Sequence, residues 1–361
     1  MTKTYRAAVI GCSRMGGFID NEVAGYSKII LPYSHAAGYA ACDRTDLVAC
    51  ADFRTDVMAR FGERYNIPKA RQYTDYREMI AQEQLDIVSV ATQPEPRAEI
   101  VIYAAEHGIK AIYAEKAMAA SMAEAEAMVE AVERNKVALN LGTNRRWHPG
   151  YDNMKALIDS GELGALKSLI IYNNGTLFNT ASHMFDLILR LNNDHPVSWV
   201  QAHLPGAPLI EGNLLREDPR GEGFFQFENG VTAYAMLTPL GVEFQAICEN
   251  GTLSALDDGR EWQLRRRTPI EPGGRTAFVI GKFAAVEPAS STLRLIEDLV
   301  HALDTGQPPR GGVRVAYANN ELIFAFIESH QRGGARVTLP LEGSITRLQR
   351  DHTPRQPKFT V

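Results

Sequence analysis

The chain has 361 residues, 45% of them hydrophobic, enough for two domains with a core each. Its formal charge is −5 and it has no basic run or stripe, which argues against a nucleic-acid surface. No uninterrupted apolar run of about 18 residues occurs, so no membrane span is expected.

The opening "MTKTYRAAVIG" runs almost at once into an apolar strand, so no signal peptide is expected. The first 143 residues then alternate short apolar runs with helical patterns. The runs are "YRAAVI" (5–10), "LVACA" (47–51), "DIVSVA" (86–91), "KAIYA" (110–114) and "KVALNL" (136–141). They are rich in Val, Ile and Ala with little polar alternation, as parallel strands buried on both faces require. Between them, "DVMARFGERYN", "RAEIVIYAAEHG" and "SMAEAEAMVEAVERN" carry apolar stripes at helical spacing, with Gly108 as a C-terminal cap. Such alternation predicts a doubly wound parallel α/β domain over 1–143.

From 144 to 361 the pattern is α+β. A helix in "GYDNMKALIDSGELG" leads to strands in "LKSLIIYNN", "VSWVQAHL", "GFFQFENG", "VTAYAMLT", "VEFQAICENG" and "TLSAL". Asn229-Gly230 and Asn250-Gly251, flanked by alternating apolar residues, predict hairpins and hence a mostly antiparallel sheet. Two late helices are expected, "STLRLIEDLVHALDTG" with Ser291 as N-cap and "VAYANNELIFAFIESH".

Several side chains point to chemistry. The loop "GCSRMGG" follows the first strand: Gly11 and Gly16 match the first and third glycines of Gly-x-Gly-x-x-Gly, and Ser13 stands at the middle one. Ser13, Arg14 and Met15 would then lie against a pyrophosphate. Asp52 ends the second strand, where a carboxylate accepts from ribose hydroxyls and repels a 2′-phosphate, so NAD(H) is favoured. Arg54 keeps NADP(H) open. Asp52 follows Gly16 by 36 residues rather than the usual interval of about 20. The excess lies in an insertion around 20–46 with Tyr26, Tyr33 and His35, which either covers the cofactor or extends the surface. Glu115 and Lys116 end the strand at 110–114, the edge at which open α/β sheets bind ligands. Asn179 and His183 sit four apart before an apolar helical run and share a face, with Asn179 either an N-cap or a site residue. Asp186 and Arg190 have the spacing of a helix ion pair. The four cysteines (Cys12, Cys42, Cys50, Cys248) form no Cys-x-x-Cys and read as free thiols of a reducing cytoplasm. The nine histidines offer no His-Glu-x-x-His, and no metal site is assigned.

In order and spacing, "AVIGCSRMGG", "DIVSVATQPEPR", "YAEKA", "GTNRRWHPGY", "SGELGALKS" and "NTASHMFD" resemble the glucose–fructose oxidoreductase/inositol dehydrogenase family, Gfo/Idh/MocA. The resemblance runs from the first strand to "RVTLPL" at 336–341. It implies an N-terminal Rossmann domain followed by an α+β domain with a large open sheet. It also implies NAD(P)-dependent chemistry on sugars, cyclitols and related polyols, and dimers or tetramers formed through the sheet. The family's Glu-Lys-Pro maps onto Glu115-Lys116-Ala117, and its Asp-x-x-x-His onto Asn179 to His183. Its turn after the fourth strand appears as Thr92-Gln93-Pro94, which adds Thr92, Pro94 and Glu115 to the cofactor residues; a histidine often found shortly afterwards is Arg97 here.

Oxidising a carbinol removes a hydride from carbon and a proton from oxygen. A free lysine, near 10.4, is too basic to take that proton at neutral pH. Desolvation and a positive nicotinamide ring would both lower it. Lys116 is therefore expected to be the principal base. His183 would hold the same oxygen or share the proton, and Asn179 could hydrogen-bond a hydroxyl without charge. A neutral Asn179 removes a negative charge and favours anionic or unusually substituted sugars; Arg145 and Arg146, just after the sixth strand, would either help hold an anion or serve as interdomain ion-pair partners. Two other classes share these motifs: a glycosidase or lyase that oxidises its substrate transiently, and a non-catalytic sugar-binding regulator.

Overall fold

Alternate residues of the first strands feed two different cores. The structure, a computed structural model, describes residues 3–206, 210–269 and 274–350. The first segment runs β1 (Tyr5–Ile10), α1 (Ile19–Val23), α2 (His35–Ala41), β2 (Thr45–Ala51), α3 (Thr55–Tyr65), β3 (Gln72–Tyr73), α4 (Tyr76–Glu83), β4 (Ile87–Val90), α5 (Pro94–Glu106), β5 (Ala111–Ala114), α6 (Met122–Arg134) and β6 (Ala138–Leu141). The sheet order is β3-β2-β1-β4-β5-β6, all parallel, so the strand order reverses between β1 and β4. Ala8, Ile10, Val88, Val90 and Ile112 enter the core on one face. Their neighbours Ala7, Val9, Ile87, Ala111 and Tyr113 enter the core on the other. This is why these strands read as unbroken apolar runs. Gly108, at φ +84, follows the last turn of α5, the left-handed geometry that a glycine supplies at least cost.

The second segment holds α7 (Pro149–Asp159), β7 (Leu166–Asn173), α8 (Ser182–Leu191), β8 (Val197–His203), the short pair β9 (Ile210–Glu211) and β10 (Leu214–Leu215), and then β11 (Glu222–Phe227), β12 (Thr232–Leu237), β13 (Glu243–Cys248), β14 (Gly251–Leu256), β15 (Glu261–Pro269) and β16 (Thr276–Gly281). With β17 (Val337–Thr338) the sheet order is β16-β15-β14-β13-β7-β12-β11-β8-β17. Its pairs are antiparallel except β7 with β12. The strands alternate, as in β12, where Ala233 and Ala235 are buried while Tyr234 and Met236 are exposed. One face is thus core and the other open.

Both Asn-Gly pairs stand at hairpins, but neither sits at the centre of a two-residue turn with both residues left-handed. Gly230, at φ +84, closes a three-residue loop, with its N–H donating to the Phe227 carbonyl at 3.0 Å. Gly251 pairs with Cys248 as the first residue of β14. A Cβ there would lie 2.7 Å from the Arg265 carbonyl oxygen, so close packing rather than dihedral freedom requires this glycine.

The chain returns to the first sheet late. α9 (Ser291–Thr305) adds Leu295, Ile296, Leu299 and Val300 to the core of Val9, Tyr39 and Tyr113. A Cβ on Gly38 of α2 would lie 2.7 Å from Ile296, so the two helices meet at a glycine. The N-cap of α9 is Ser290, one residue before the expected Ser291; its Oγ accepts from the Leu293 N–H at 3.0 Å. After α10 (Val313–Gln331), the described chain ends past β18 (Arg347–Leu348). One compact unit therefore comprises the chain up to Trp147, Ala289–Asn320 and the described residues from Arg347 on. The other is His148–Pro288 with Glu321–Thr346. This differs from the expected cut at 143/144: the apolar stripe of α9 has its complement on the parallel sheet. Among the described residues, no helix is long and apolar enough to cross a membrane.

Candidate active site

In the first unit the expected residues gather at the carboxyl ends of β1, β2, β4 and β5. Gly11 leaves β1 at φ +93, and a Cβ there would lie 3.0 Å from the Ala91 carbonyl. Gly16 comes so close to Gly11 that its Cβ would lie 1.9 Å from the Gly11 oxygen. The two matched glycines are therefore steric necessities of a tight loop, which Ser13, Arg14 and Met15 complete. The Arg14 Nε donates to Glu22 at 2.7 Å.

Asp52 is stitched into this loop. One carboxylate oxygen accepts from the Cys12 N–H at 2.8 Å, the other from the Arg54 N–H at 2.9 Å. Burial raises its pKa, and the two N–H donors only partly offset that. The Arg54 guanidinium is paired with Asp56 at 2.7 Å. Thr92, after β4, buries a hydroxyl that has no partner among the described residues, and its carbonyl accepts from Arg97.

Glu115 is buried and faces inward. His35 Nε2 lies 3.1 Å from its Oε1, and His35 Nδ1 lies 2.9 Å from the Ser89 hydroxyl, which is also 2.9 Å from the Tyr39 hydroxyl. An ionised carboxylate only accepts, so Nε2 is the donor of that pair. Burial by itself would raise Glu115; the hydrogen bond and charge of His35, with Lys116 and Arg97, outweigh it and leave the carboxyl below its ordinary range. The His35 ring stacks on Tyr113 at 3.7 Å between centroids. Lys116, half-buried, donates its backbone N–H to Glu115 Oε2 at 3.3 Å, and its peptide bond to Ala117 is cis.

The insertion has two parts. Asp20 accepts from the N–H groups of Tyr33 and Ser34 at 2.8 and 2.9 Å, closing the base of a loop whose Tyr26 is exposed. Its second part does not merely extend the surface: 35–41 is α2, which leads into β2 with His35 and Tyr39 wholly buried. The signal was present in "SHAAGYAA": Ser34 is the N-cap and accepts from the Ala37 N–H at 3.3 Å.

The second unit holds the other two residues. A wide helical turn, Leu177–Ala181, continues into α8, so exposed Asn179 and half-buried His183 share its face as their spacing predicts. Asn179 is not an N-cap: the helical run starts after Thr176, and Asp218 accepts from the Phe178 N–H at 3.0 Å and the Thr176 hydroxyl at 2.6 Å. The Asn179 carbonyl accepts from the Ser182 hydroxyl at 2.7 Å. Arg190 bonds Asp152 of α7 across helices. Arg146, expected near substrate, belongs to the first unit; it is buried and donates to the Arg310 carbonyl at 3.1 Å. Asp218, which orders the start of this helix, was missed because only the fold brings it to Thr176.

Residues 21–143 match the model of an oxidoreductase family with an NAD-binding Rossmann fold, GFO_IDH_MocA. Over these residues the chain resembles the Gfo/Idh/MocA oxidoreductases. D-apiose dehydrogenase of Paraburkholderia graminis is 31% identical over 162 residues, 45% of this chain and 38% of that protein. Inositol 2-dehydrogenase of Salmonella typhimurium is 32% identical over 120 residues, 33% of this chain and 35% of that protein. The matched segments thus span little more than a third of these relatives. Solved structures share the fold over nearly the whole chain. Levoglucosan dehydrogenase in complex with NADH and levoglucosan superposes with a TM-score of 0.74, covering 94% of this chain and 100% of that one at 19% identity. An oxidoreductase from Agrobacterium radiobacter in complex with NAD+, L-tartaric acid and magnesium gives 0.72, covering 93% and 98% at 17% identity.

Proposed function

We propose that this protein is an NAD(H)-dependent oxidoreductase acting on a CH–OH group of a sugar, cyclitol or sugar derivative. The observation that carries the reading is the shared position of four features: Gly11–Gly16, Asp52, Thr92 and Lys116 stand at the carboxyl ends of neighbouring parallel strands around the reversal of strand order. The residues fit a dinucleotide: a tight glycine loop, a carboxylate at the end of β2, and a buried Thr92 hydroxyl without a partner among the described residues. The Gly11–Gly16 backbone would hold the pyrophosphate, Asp52 the adenosine ribose, and Thr92-Gln93-Pro94 the nicotinamide half. The extra charge of an NADP(H) phosphate would meet the Asp52 carboxylate, so NAD(H) is the favoured form.

When bound, the cofactor supplies the hydride acceptor or donor. Lys116 takes the hydroxyl proton as the carbinol becomes a carbonyl, and returns it in the reverse direction. Glu115, fixed by His35, orients the backbone that presents Lys116 and remains an anion beside it. His183 and Asn179 bind the substrate oxygen and its neighbouring hydroxyl, with no carboxylate at 179 to charge the imidazole. Free buried thiols at all four cysteines support a cytoplasmic setting. An exposed row of outward side chains on the open sheet face, including Tyr234 and Met236, supports a homodimer or homotetramer.

Replacing Lys116 tests this reading. Lys116→Ala should lose about a thousandfold or more in kcat while titrating NADH with near wild-type affinity. Turnover within tenfold of wild type would remove Lys116 from the role of base.

A further inference from the structure

Arg97 begins in α5 and ends between two other segments. Its Nη1 donates to the Ala117 carbonyl, the residue after Lys116, and its Nη2 donates to the Thr92 carbonyl, at the turn after β4. The side chain is buried, with 1% of the residue exposed. A buried cation persists only among acceptors and anions, and Glu115 and Glu95 provide the charge. Burial pulls Arg97 down to about 10, so it remains a cation at neutral pH.

The geometry around this guanidinium is held from both sides. Beyond the turn, Arg350 donates to the two carboxylate oxygens of Glu95 at 2.7 and 2.8 Å and to the Gln93 amide oxygen at 3.0 Å. Beyond the lysine, His35 holds Glu115. Neither carbonyl on Arg97 belongs to a helix or strand. A planar fork with two donors sets the separation of its two acceptors, which a single ammonium does not.

The geometry points to Arg97 as a positioning residue that couples the Thr92–Pro94 turn to Lys116, so that the two move as one body. It rests on the function proposed above only in its consequence for turnover, because the coupling is a property of this chain alone. The cofactor side and the base side of the reaction would then share one rigid support, and loosening either would loosen the other. Arg97 and Ala117 are also two of the places where the chain departs from its family's motifs, and the structure joins them in one hydrogen bond.

Hydrogen–deuterium exchange on the full chain without cofactor tests the coupling, comparing wild type with Arg97→Lys and Arg97→Gln. Uptake in peptides spanning 91–96 and 115–119 should rise together by about tenfold or more in rate, with β1 and β13 unchanged. Both variants should also lose about tenfold or more in kcat, with KM for substrate within about threefold. Uptake that is unchanged, or that rises in only one of the two segments, would overturn the coupling. Should Arg97→Gln exchange throughout, Arg97→Lys alone decides by the same two segments. A wild type that binds no NADH would defeat the proposed function and leave the exchange result standing.

Discussion

At the scale of single residues, the balance of burial and charge around Glu115 decides what Lys116 stands on. A buried carboxylate without partners would protonate; here His35, Lys116 and Arg97 face it and keep it ionised. Its folded pKa lies below the ordinary 4.5, so its contribution to stability is complete above that value. The contribution is lost as pH falls through the lowered folded value. Glu115→Gln should therefore cost on the order of 3 kcal/mol at pH 7, the scale for leaving one partner of a buried pair alone. The gap in Tm between wild type and variant should narrow as the pH drops below about 4.5. A gap independent of pH in thermal melts would mean that His35 and Glu115 interact without charge.

Among the elements, α9 shows best what a linear sequence conceals. Its helical period, its length and a serine cap are legible, and Leu295, Ile296 and Leu299 mark its buried stripe. Which sheet that stripe covers is not, because the complement lies more than two hundred residues earlier in β1 and α2. Periodicity also cannot choose between Ser290 and Ser291 as cap. Ser290 wins because its hydroxyl also donates to the Pro32 carbonyl. Ser290→Ala should cost about 1 kcal/mol and lower Tm by about 2–4 °C, while Ser291→Ala should cost less than about 0.5 kcal/mol. The parallel strands, most of the antiparallel strands and the site's strand-end residues were readable because buried runs, alternation and glycine spacing are local patterns. His35 against Glu115, Arg97 between two carbonyls and Asp218 at Thr176 were not, because each bond joins residues that no spacing rule connects.

For the whole molecule, the open face of the large sheet and the strand-end site frame the function. Trp199, Phe224 and Tyr234 form an aromatic row on that face, with centroids 5.4 and 6.1 Å apart, and Met236 lies on the same side of β12. Covering such a row in a second copy would remove apolar area from water at about 25 cal/mol per Å². Tyr234→Glu with Met236→Glu should then reduce the mass seen by light scattering to that of a monomer; an unchanged assembly would place the interface elsewhere. The central claim is net hydride transfer. Its most direct test is a panel of sugars, sugar acids and cyclitols with NAD+ and NADP+, followed by the absorbance of reduced nicotinamide in deuterated water. The account predicts net NADH formation in step with oxidised product, with NAD+ preferred over NADP+. Product labelled by solvent deuterium without net NADH, or substrate bound with no conversion at all, would contradict it.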